Sequence, residues 1–300
     1  MSINNKLAQT CGRIIILGHT GYIGRSLFDK IIKIYPEKEV VGLSDPDCDL
    51  TNKSDLKSLL PYLDQQTIVI MCSGIKKQHG DNIENFSKNM EMIINVCSCI
   101  EKNSVNKFLY FSSAEVYGEA IHNTKINEQT AVQPSSYYGI AKYASEILLK
   151  KTFEKANNNN LTILRPVLVY GPSEIGTYYG PSGFVKHASA KETITLWGDG
   201  KELREFLYID DLVKIVMSLT FNDYSGTINI TAGKSYTFRQ SIEYIRKYFP
   251  NLDIIMQKRT KGKVDQGYDN RALLEVLPKL HFTTLEAGID KLINYDLNLE

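Results

Sequence analysis

A chain of 300 residues with 43% hydrophobic side chains can bury a substantial core, which excludes a linker or a disordered tail. Lys and Arg number 35 against 34 Asp and Glu, and a formal charge of +1 gives no electrostatic reason for a nucleic acid or an anionic membrane as partner. Met1 to Arg13 holds no apolar leader and no later run approaches the ~18 apolar residues of a membrane span, so a cytoplasmic protein is expected.

Arg13 to Leu17 reads as a buried strand, Gly18-His19-Thr20-Gly21-Tyr22-Ile23-Gly24 follows at once, and Arg25 to Ile34 carries apolar residues at helical spacing. A glycine-rich turn between strand and helix places helix N-terminal amides where they can face a phosphate. Glu39 to Leu43 is the second strand, Asp55 to Leu63 a short helix, Thr67 to Cys72 the third strand and Phe86 to Glu101 a long helix. Phe108 to Phe111 is a fourth strand that delivers Ser112 and Ser113 to its C-terminal end. Tyr138 to Ala156 reads as a helix, and after polar Asn157 to Asn160 comes the strand Leu161 to Leu164.

This alternation predicts an α/β fold, a Rossmann-type doubly wound parallel sheet, with residues 1–166 as the dinucleotide-binding domain. Past Arg165-Pro166, Gly171, Pro172, Gly176, Gly180, Pro181 and Gly183 loosen the pattern and mark a smaller substrate-binding lobe over 167–205 and 249–300. Residues 206–248 are expected to return to the first domain through a helix at Asp210 to Leu219 and a strand at Thr227 to Ile230.

In the glycine turn, Gly18 allows the tight bend, Gly21 the close approach of a pyrophosphate and Gly24 the packing of helix on sheet. Gly18, Thr20, Gly21, Tyr22, Ile23 and Gly24 are therefore the first candidates to hold a dinucleotide. The choice between NAD and NADP should be read where the second strand ends. Ser44 stands there and suits the 2′-phosphate of NADP. Asp45 and Asp47, with no Arg or Lys nearby, suit the ribose hydroxyls of NAD, and the sequence leaves both open.

Tyr138 and Lys142 lie one helical turn apart and can reach the same side. An ammonium near a phenol is expected to bring its pKa down from ~10, so that Tyr138 can move a proton as a hydride passes to or from a nicotinamide. Lys142 can also hold a ribose hydroxyl, and Ser113 can hydrogen-bond the reacting oxygen. No competing chemistry is visible. Cys11, Cys48, Cys72, Cys97 and Cys99 are odd in number and read as reduced, and the scattered histidines show no metal-ligand spacing, so no metal is expected.

Taken together, these segments resemble the extended short-chain dehydrogenase/reductase family, of the NAD-dependent epimerase/dehydratase type. The resemblance spans nearly the whole chain: Gly18 to Gly24, Phe111-Ser112-Ser113-Ala114-Glu115-Val116-Tyr117-Gly118, Tyr138 to Lys142, Arg165-Pro166 with Val169-Tyr170-Gly171-Pro172, Trp197-Gly198-Asp199-Gly200, Arg204 to Leu207, and Asp210-Asp211. It implies Ser113, Tyr138 and Lys142 as the catalytic set. Cofactor contacts are implied at Ser44, Asp49, Leu50, Cys72, Ser73, Gly74, Lys76, Asn89, Arg165 and Val167, beside the glycine turn and Tyr138 and Lys142 themselves.

The resemblance implies a nucleotide-diphosphate sugar as substrate, met by Lys76, Ser113, Ala114, Glu115, Leu168, Phe184, Trp197, Arg204 and Arg259. Tyr178 and Tyr179 are further candidates for the sugar pocket. For Arg204 the alternative is pairing with Glu202 or Glu205, and for Trp197 it is core packing. Leu168 replaces an Asn that holds substrate in the family.

Within the family, 4,6-dehydratases show Thr-Asp-Glu where this chain has Ser113-Ala114-Glu115, and Ala114 cannot donate a proton. Fucose-synthase-type epimerisation uses a Cys matching Ala114 and a His soon after the Tyr-Gly-Pro segment, where Ser173-Glu174 stand here. Reduction of a C4 keto group and epimerisation at C4 survive. The short path from Ser44 to Asn52 resembles the 4-keto-reductases, so reduction of a nucleotide-linked 4-keto-hexose is expected, with 4-epimerisation as the alternative and a non-catalytic dinucleotide sensor as a distant one. A homodimer is expected through the helices Phe86 to Glu101 and Tyr138 to Ala156.

Overall fold

A computed structural model describes residues 11–174, 179–259 and 262–297; Tyr178 and Met1 to Thr10 lie outside the described residues. The strands β1 (Arg13–Leu17), β2 (Glu39–Leu43), β3 (Thr67–Met71), β4 (Lys107–Phe111), β5 (Leu161–Pro166) and β6 (Gly226–Ile230), of which β1, β3 and β4 carry unbroken apolar runs of four residues, make one sheet in the order β2-β1-β3-β4-β5-β6. The pairs β1/β2, β1/β3, β3/β4 and β4/β5 are parallel. Every residue of β3, β4 and β5 is buried, the pattern of strands covered on both faces. Helices α1 (Tyr22–Ile34), α2 (Ile83–Ile100), α3 (Tyr137–Lys155) and α4 (Ile209–Thr220) alternate with the strands.

The chain leaves β1 on one side for β2 and comes back on the other for β3. The turns that follow β1 and β3 therefore diverge, and a crevice opens at the carboxyl ends of the strands. Gly18 sits at this switch point with φ +83°, and a Cβ there would lie 2.8 Å from the Ser73 nitrogen. Far from the crevice, Lys107 is 1% exposed and donates to the carbonyls of Leu219 (2.7 Å) and Asn222 (2.6 Å), answering the unpaired carbonyls where α4 ends.

The chain divides into two compact units. One comprises residues 11–119, 131–166 and 213–228 and carries the glycine turn, β1 to β5 and α1 to α3. The other comprises 120–130, 167–174, 179–212 and the described residues from 229. Its largest sheet runs Ser235–Thr237, Leu203–Tyr208, Leu168–Tyr170, with Ile254–Gln257 beside Ile194–Trp197 and Gln266–Tyr268 beside Asn123–Ile126 as smaller pairs. Buried Glu205 joins its pieces by accepting from the backbone of Tyr268 (2.7 Å) and Gly233 (3.2 Å) and from the Thr231 hydroxyl.

Two expectations need correction. The returning segment is 213–228 rather than 206–248, because strand Leu203–Tyr208 pairs inside the second unit; residues 120–130 also belong there, since Asn123–Ile126 pairs with Gln266–Tyr268. The helix expected over Asp55 to Leu63 is two short 3₁₀ turns, Asp55–Ser58 and Leu60–Tyr62. Pro61 lacks the amide that an α-helix would need at that point.

Candidate active site

The glycine turn has the form that an anion requires. Gly21 is the residue before α1 and offers no capping side chain, and no acid lies in the first turn, so the first amides of the helix remain available to a phosphate. A Cβ on Gly24 would come 2.1 Å from the Gly18 carbonyl oxygen, so the helix packs on the turn only because this residue has no side chain. At Gly21 the nearest neighbour of an added Cβ is that same oxygen at 3.4 Å, which leaves the approach open. Ser44 lies at the end of β2, as expected, but its hydroxyl is turned into the glycine turn: it accepts from the Thr20 amide (3.2 Å) and bonds His19 Nδ1 (3.0 Å). Lys76 reaches the same region with its ammonium 5.8 Å from the centre of the Tyr22 ring.

Ser113, Tyr138 and Lys142 come together. Ser113 caps the 3₁₀ turn Ala114–Tyr117 by accepting from the Glu115 amide (3.1 Å), and its hydroxyl also bonds the Tyr138 phenol. Ser136 starts α3 by accepting from the Gly139 amide (3.0 Å), and Asp81 Oδ1 accepts from the Tyr138 amide (3.1 Å). Lys142 is buried beneath, donating to the Phe111 carbonyl (2.7 Å), with its Nζ 4.9 Å from the Tyr110 ring centre and 5.8 Å from that of Tyr138.

The electrostatics differ from expectation. Burial, reinforced by the neighbouring Glu115 carboxylate, pushes the Tyr138 phenol well above its ordinary value, and the Ser113 hydrogen bond opposes this only partly. Lys142 does not depress it, because its ammonium is held on the Phe111 carbonyl and its own charge is disfavoured. Burial brings Lys142 down to about 8, against the opposing pull of Cys72 and Glu146. Tyr138 thus stands as a neutral acid at physiological pH. Since kcat/KM follows ionisations of the free enzyme, it should fall on the alkaline side with an apparent pKa of about 8 as Lys142 discharges. A pH profile flat through pH 9.5 (about one and a half units above that value) would contradict the assignment.

Other expected residues fall into place unevenly. Gly74 lies close to the centre: a Cβ there would be 3.2 Å from Lys142 Nζ and 3.5 Å from Asn89 Oδ1. Asn89 shapes this loop rather than presenting its amide, accepting from the Ile75 N–H (2.8 Å) and donating to its carbonyl (3.0 Å). Burial pushes the Cys72 thiol up to about 12, so it stays protonated. Asp49 accepts from Thr51 through both its amide and hydroxyl (2.8 Å each), and buried Leu50 offers its carbonyl to Asn95 (2.8 Å). Ser73 stands against Gly18, Ala114 is buried in the Ser113 turn, and Ile23 is half-buried in the first turn of α1.

Arg165 requires a correction. Expected at the cofactor, its guanidinium is 4% exposed and directed inward, onto Glu146 and Tyr117. Sequence reading missed Glu146, although its position one turn past Lys142 places it on the same helical face as Tyr138 and Lys142.

In the second unit, Phe184 is wholly buried between Tyr179 (5.3 Å between ring centres) and Phe238 (6.2 Å), a core residue and not a sugar contact. Arg204 donates to the carbonyls of Leu203 and Val264 and lies 3.6 Å from Glu202. Arg259 pairs with Glu202 and with Asp199 (3.1 Å), its guanidinium fitting over Gly198, where a Cβ would come 1.9 Å from Nε. Both guanidinium groups thus converge on one carboxylate. Val167 is buried, whereas Leu168 and Trp197 are exposed at 49% and 42%.

Residues 14–230 match the NAD dependent epimerase/dehydratase family. A putative UDP-glucose 4-epimerase of Methanocaldococcus jannaschii is 24% identical over 95% of this chain and 98% of its own length. GDP-L-colitose synthase of Yersinia pseudotuberculosis is likewise 24% identical, over 95% and 98%. Among solved structures, UDP-glucose 4-epimerase of Thermotoga maritima, determined with UDP-glucose, superposes with a TM-score of 0.85 at 21% identity, covering 96% of this chain and 100% of that one.

Proposed function

The chain belongs to the NAD dependent epimerase/dehydratase family, and on that premise we propose that it reduces the C4 keto group of a nucleotide-linked 4-keto-hexose. The observation that carries the reading is the meeting of Ser113, Tyr138 and Lys142 at the end of β4, with the Lys142 Nζ 5.8 Å from the Tyr138 ring centre; burial favours the neutral phenol, the state needed to give a proton to a carbonyl oxygen as it gains a hydride. Ala114, beside that serine, supplies no second acid for dehydration.

The turn from Gly18 to Gly24 and the open start of α1 fit the pyrophosphate of a nicotinamide dinucleotide, and Lys76 fits a ribose or phosphate near Tyr22. When bound, that cofactor supplies the hydride. Ser113 orients the keto oxygen by a hydrogen bond, Tyr138 protonates it, and Lys142, tied to the Phe111 carbonyl, holds a ribose hydroxyl. In the second unit, Trp197 offers an exposed ring for the base, and Arg204 and Arg259 would have to turn from the Glu202 they share to meet the substrate diphosphate. Incubation with a 4-keto-6-deoxy nucleotide hexose should consume one reduced cofactor per sugar. Interconversion of C4 alcohol epimers without net consumption would assign the chain to the 4-epimerases instead.

The protein is further proposed to act as a homodimer. Ile83 and Ile94 on α2 and Tyr137, Ile140 and Ile147 on α3 are each between 41% and 61% exposed, an apolar set on two helices that pack together. A second copy applying the same face would cover it in a closed two-fold contact. Sedimentation at micromolar protein should give a dimer that Ile147→Asp dissociates, and a wild-type monomer would rule it out.

A further inference from the structure

Beneath the catalytic residues lies an ion pair for which the proton transfer has no use. Glu146 has no exposure and Arg165 has 4%. Glu146 Oε1 accepts from the Ser112 hydroxyl (2.5 Å) and Arg165 Nε (2.9 Å), and its Oε2 from Arg165 Nη2 (2.6 Å). The remaining guanidinium edge donates from Nη1 to the Tyr117 hydroxyl (3.0 Å), and Arg165 lies over the Tyr117 ring, 5.0 Å from its centre. An ion pair this deep loses so much hydration that apolar residues of the same volume would often serve stability as well or better. What it provides is directional: charged hydrogen bonds of fixed geometry between elements that could otherwise slide.

The elements so joined are those that carry the catalytic side chains. Glu146 is on α3, one turn after Lys142 and two after Tyr138. Ser112 is the backbone neighbour of Ser113, and its amide donates to the Leu164 carbonyl (2.8 Å) of β5, the strand that carries Arg165. Tyr117 closes the 3₁₀ turn that Ser113 caps. Lys142 Nζ meets the carbonyl of Phe111, the residue before Ser112. Two ties therefore cross between α3 and the end of β4, one from Lys142 to Phe111 and one from Glu146 to Ser112, both next to the place where Tyr138 must find Ser113.

We propose that Glu146, acting through Ser112, is a positioning residue that sets the distance between the Ser113 hydroxyl and the Tyr138 phenol. The proposal rests on Tyr138 being the proton donor. It concerns geometry, because Glu146 touches neither the phenol nor Ser113; the groups acting electrostatically on Lys142 are Cys72, Lys76 and Glu146 itself. A shift of the order of an ångström in a reacting pair can cost ~10²-fold in rate, so release of one tie is expected to cost about tenfold.

Glu146→Gln would leave the Arg165 charge buried without its partner and is liable to fail in folding, so the test removes the other end. Ser112→Ala deletes one buried hydroxyl and keeps the ion pair. It should lower kcat about tenfold with the dissociation constant of the reduced cofactor unchanged, and Ser112→Thr, which restores the hydroxyl, should recover most of the loss. In a Tyr138→Phe background Ser112→Ala should cost nothing further, because residues acting as one unit are not additive. Wild-type kcat in Ser112→Ala, or the same tenfold loss in both backgrounds, overturns the positioning role and leaves Tyr138 as the acid. A Tyr138→Phe enzyme that turns over like wild type removes the acid assignment, and the positioning role with it.

Discussion

Tyr138→Phe should lower turnover by ~10²–10⁴ while the reduced nicotinamide dinucleotide binds with near wild-type affinity. The substitution removes one oxygen and keeps the ring, so α3 retains its Ser136 cap, its amide contact with Asp81 and the Lys142 tie to Phe111. What disappears is the proton that, in the proposed reduction, goes to the keto oxygen. Burial and Glu115 favour the neutral form of the phenol, which is the form that can give this proton. Stopped-flow measurement of cofactor oxidation, with binding followed by nicotinamide fluorescence, reads both quantities. Turnover within threefold of wild type, well short of the ~10²-fold expected at the least, would remove Tyr138 from the chemistry.

Gly24→Ala should have an effect of a different kind, on binding and stability together. The added Cβ would lie 2.1 Å from the Gly18 carbonyl oxygen, 2.9 Å from its carbon and 3.0 Å from His19 Cα, all backbone atoms of the turn itself. Nothing flexible can yield, so α1 must lift from the turn. A loss of ~1–3 kcal/mol in stability is expected from overpacking of this type, and the displaced helix amides should weaken dinucleotide binding at least tenfold, about 1.4 kcal/mol. Gly21→Ala is the contrast, since its Cβ meets only the Gly18 oxygen at 3.4 Å; it should fold as wild type and lose affinity alone. Equal melting temperatures and dissociation constants for Gly24→Ala and wild type would refute the packing argument.

The strands were legible because burial on both faces demands continuous apolar runs, and Ile14 to Leu17 or Ile68 to Met71 admit no other reading once glycines and helical periods follow. Ser113, Tyr138 and Lys142 were legible from spacing, since one helical turn and one strand end fix which side chains can meet. Pro61 is the visible signal in the sequence against an unbroken helix at Asp55 to Leu63. Arg165 and Phe184 illustrate what a single chain conceals. A sequence gives the residue type, but whether a guanidinium faces a ligand or Glu146, and whether a ring lines a pocket or fits between Tyr179 and Phe238, depends on neighbours distant in sequence. The same holds for the phenol of Tyr138, raised by burial where the nearby lysine alone predicted a fall.

The direction of hydride transfer tests the central claim most directly. The protein is incubated with a 4-keto nucleotide hexose and reduced nicotinamide dinucleotide deuterated at the transferring carbon, and the sugar is examined by mass spectrometry and proton NMR. A reductase places one deuterium at sugar C4 and releases one oxidised cofactor for each product formed. Epimers of an ordinary nucleotide hexose interconverting at C4, with no deuterium gained from the medium cofactor and none of it oxidised, would contradict the assignment of this chain as a 4-keto-reductase.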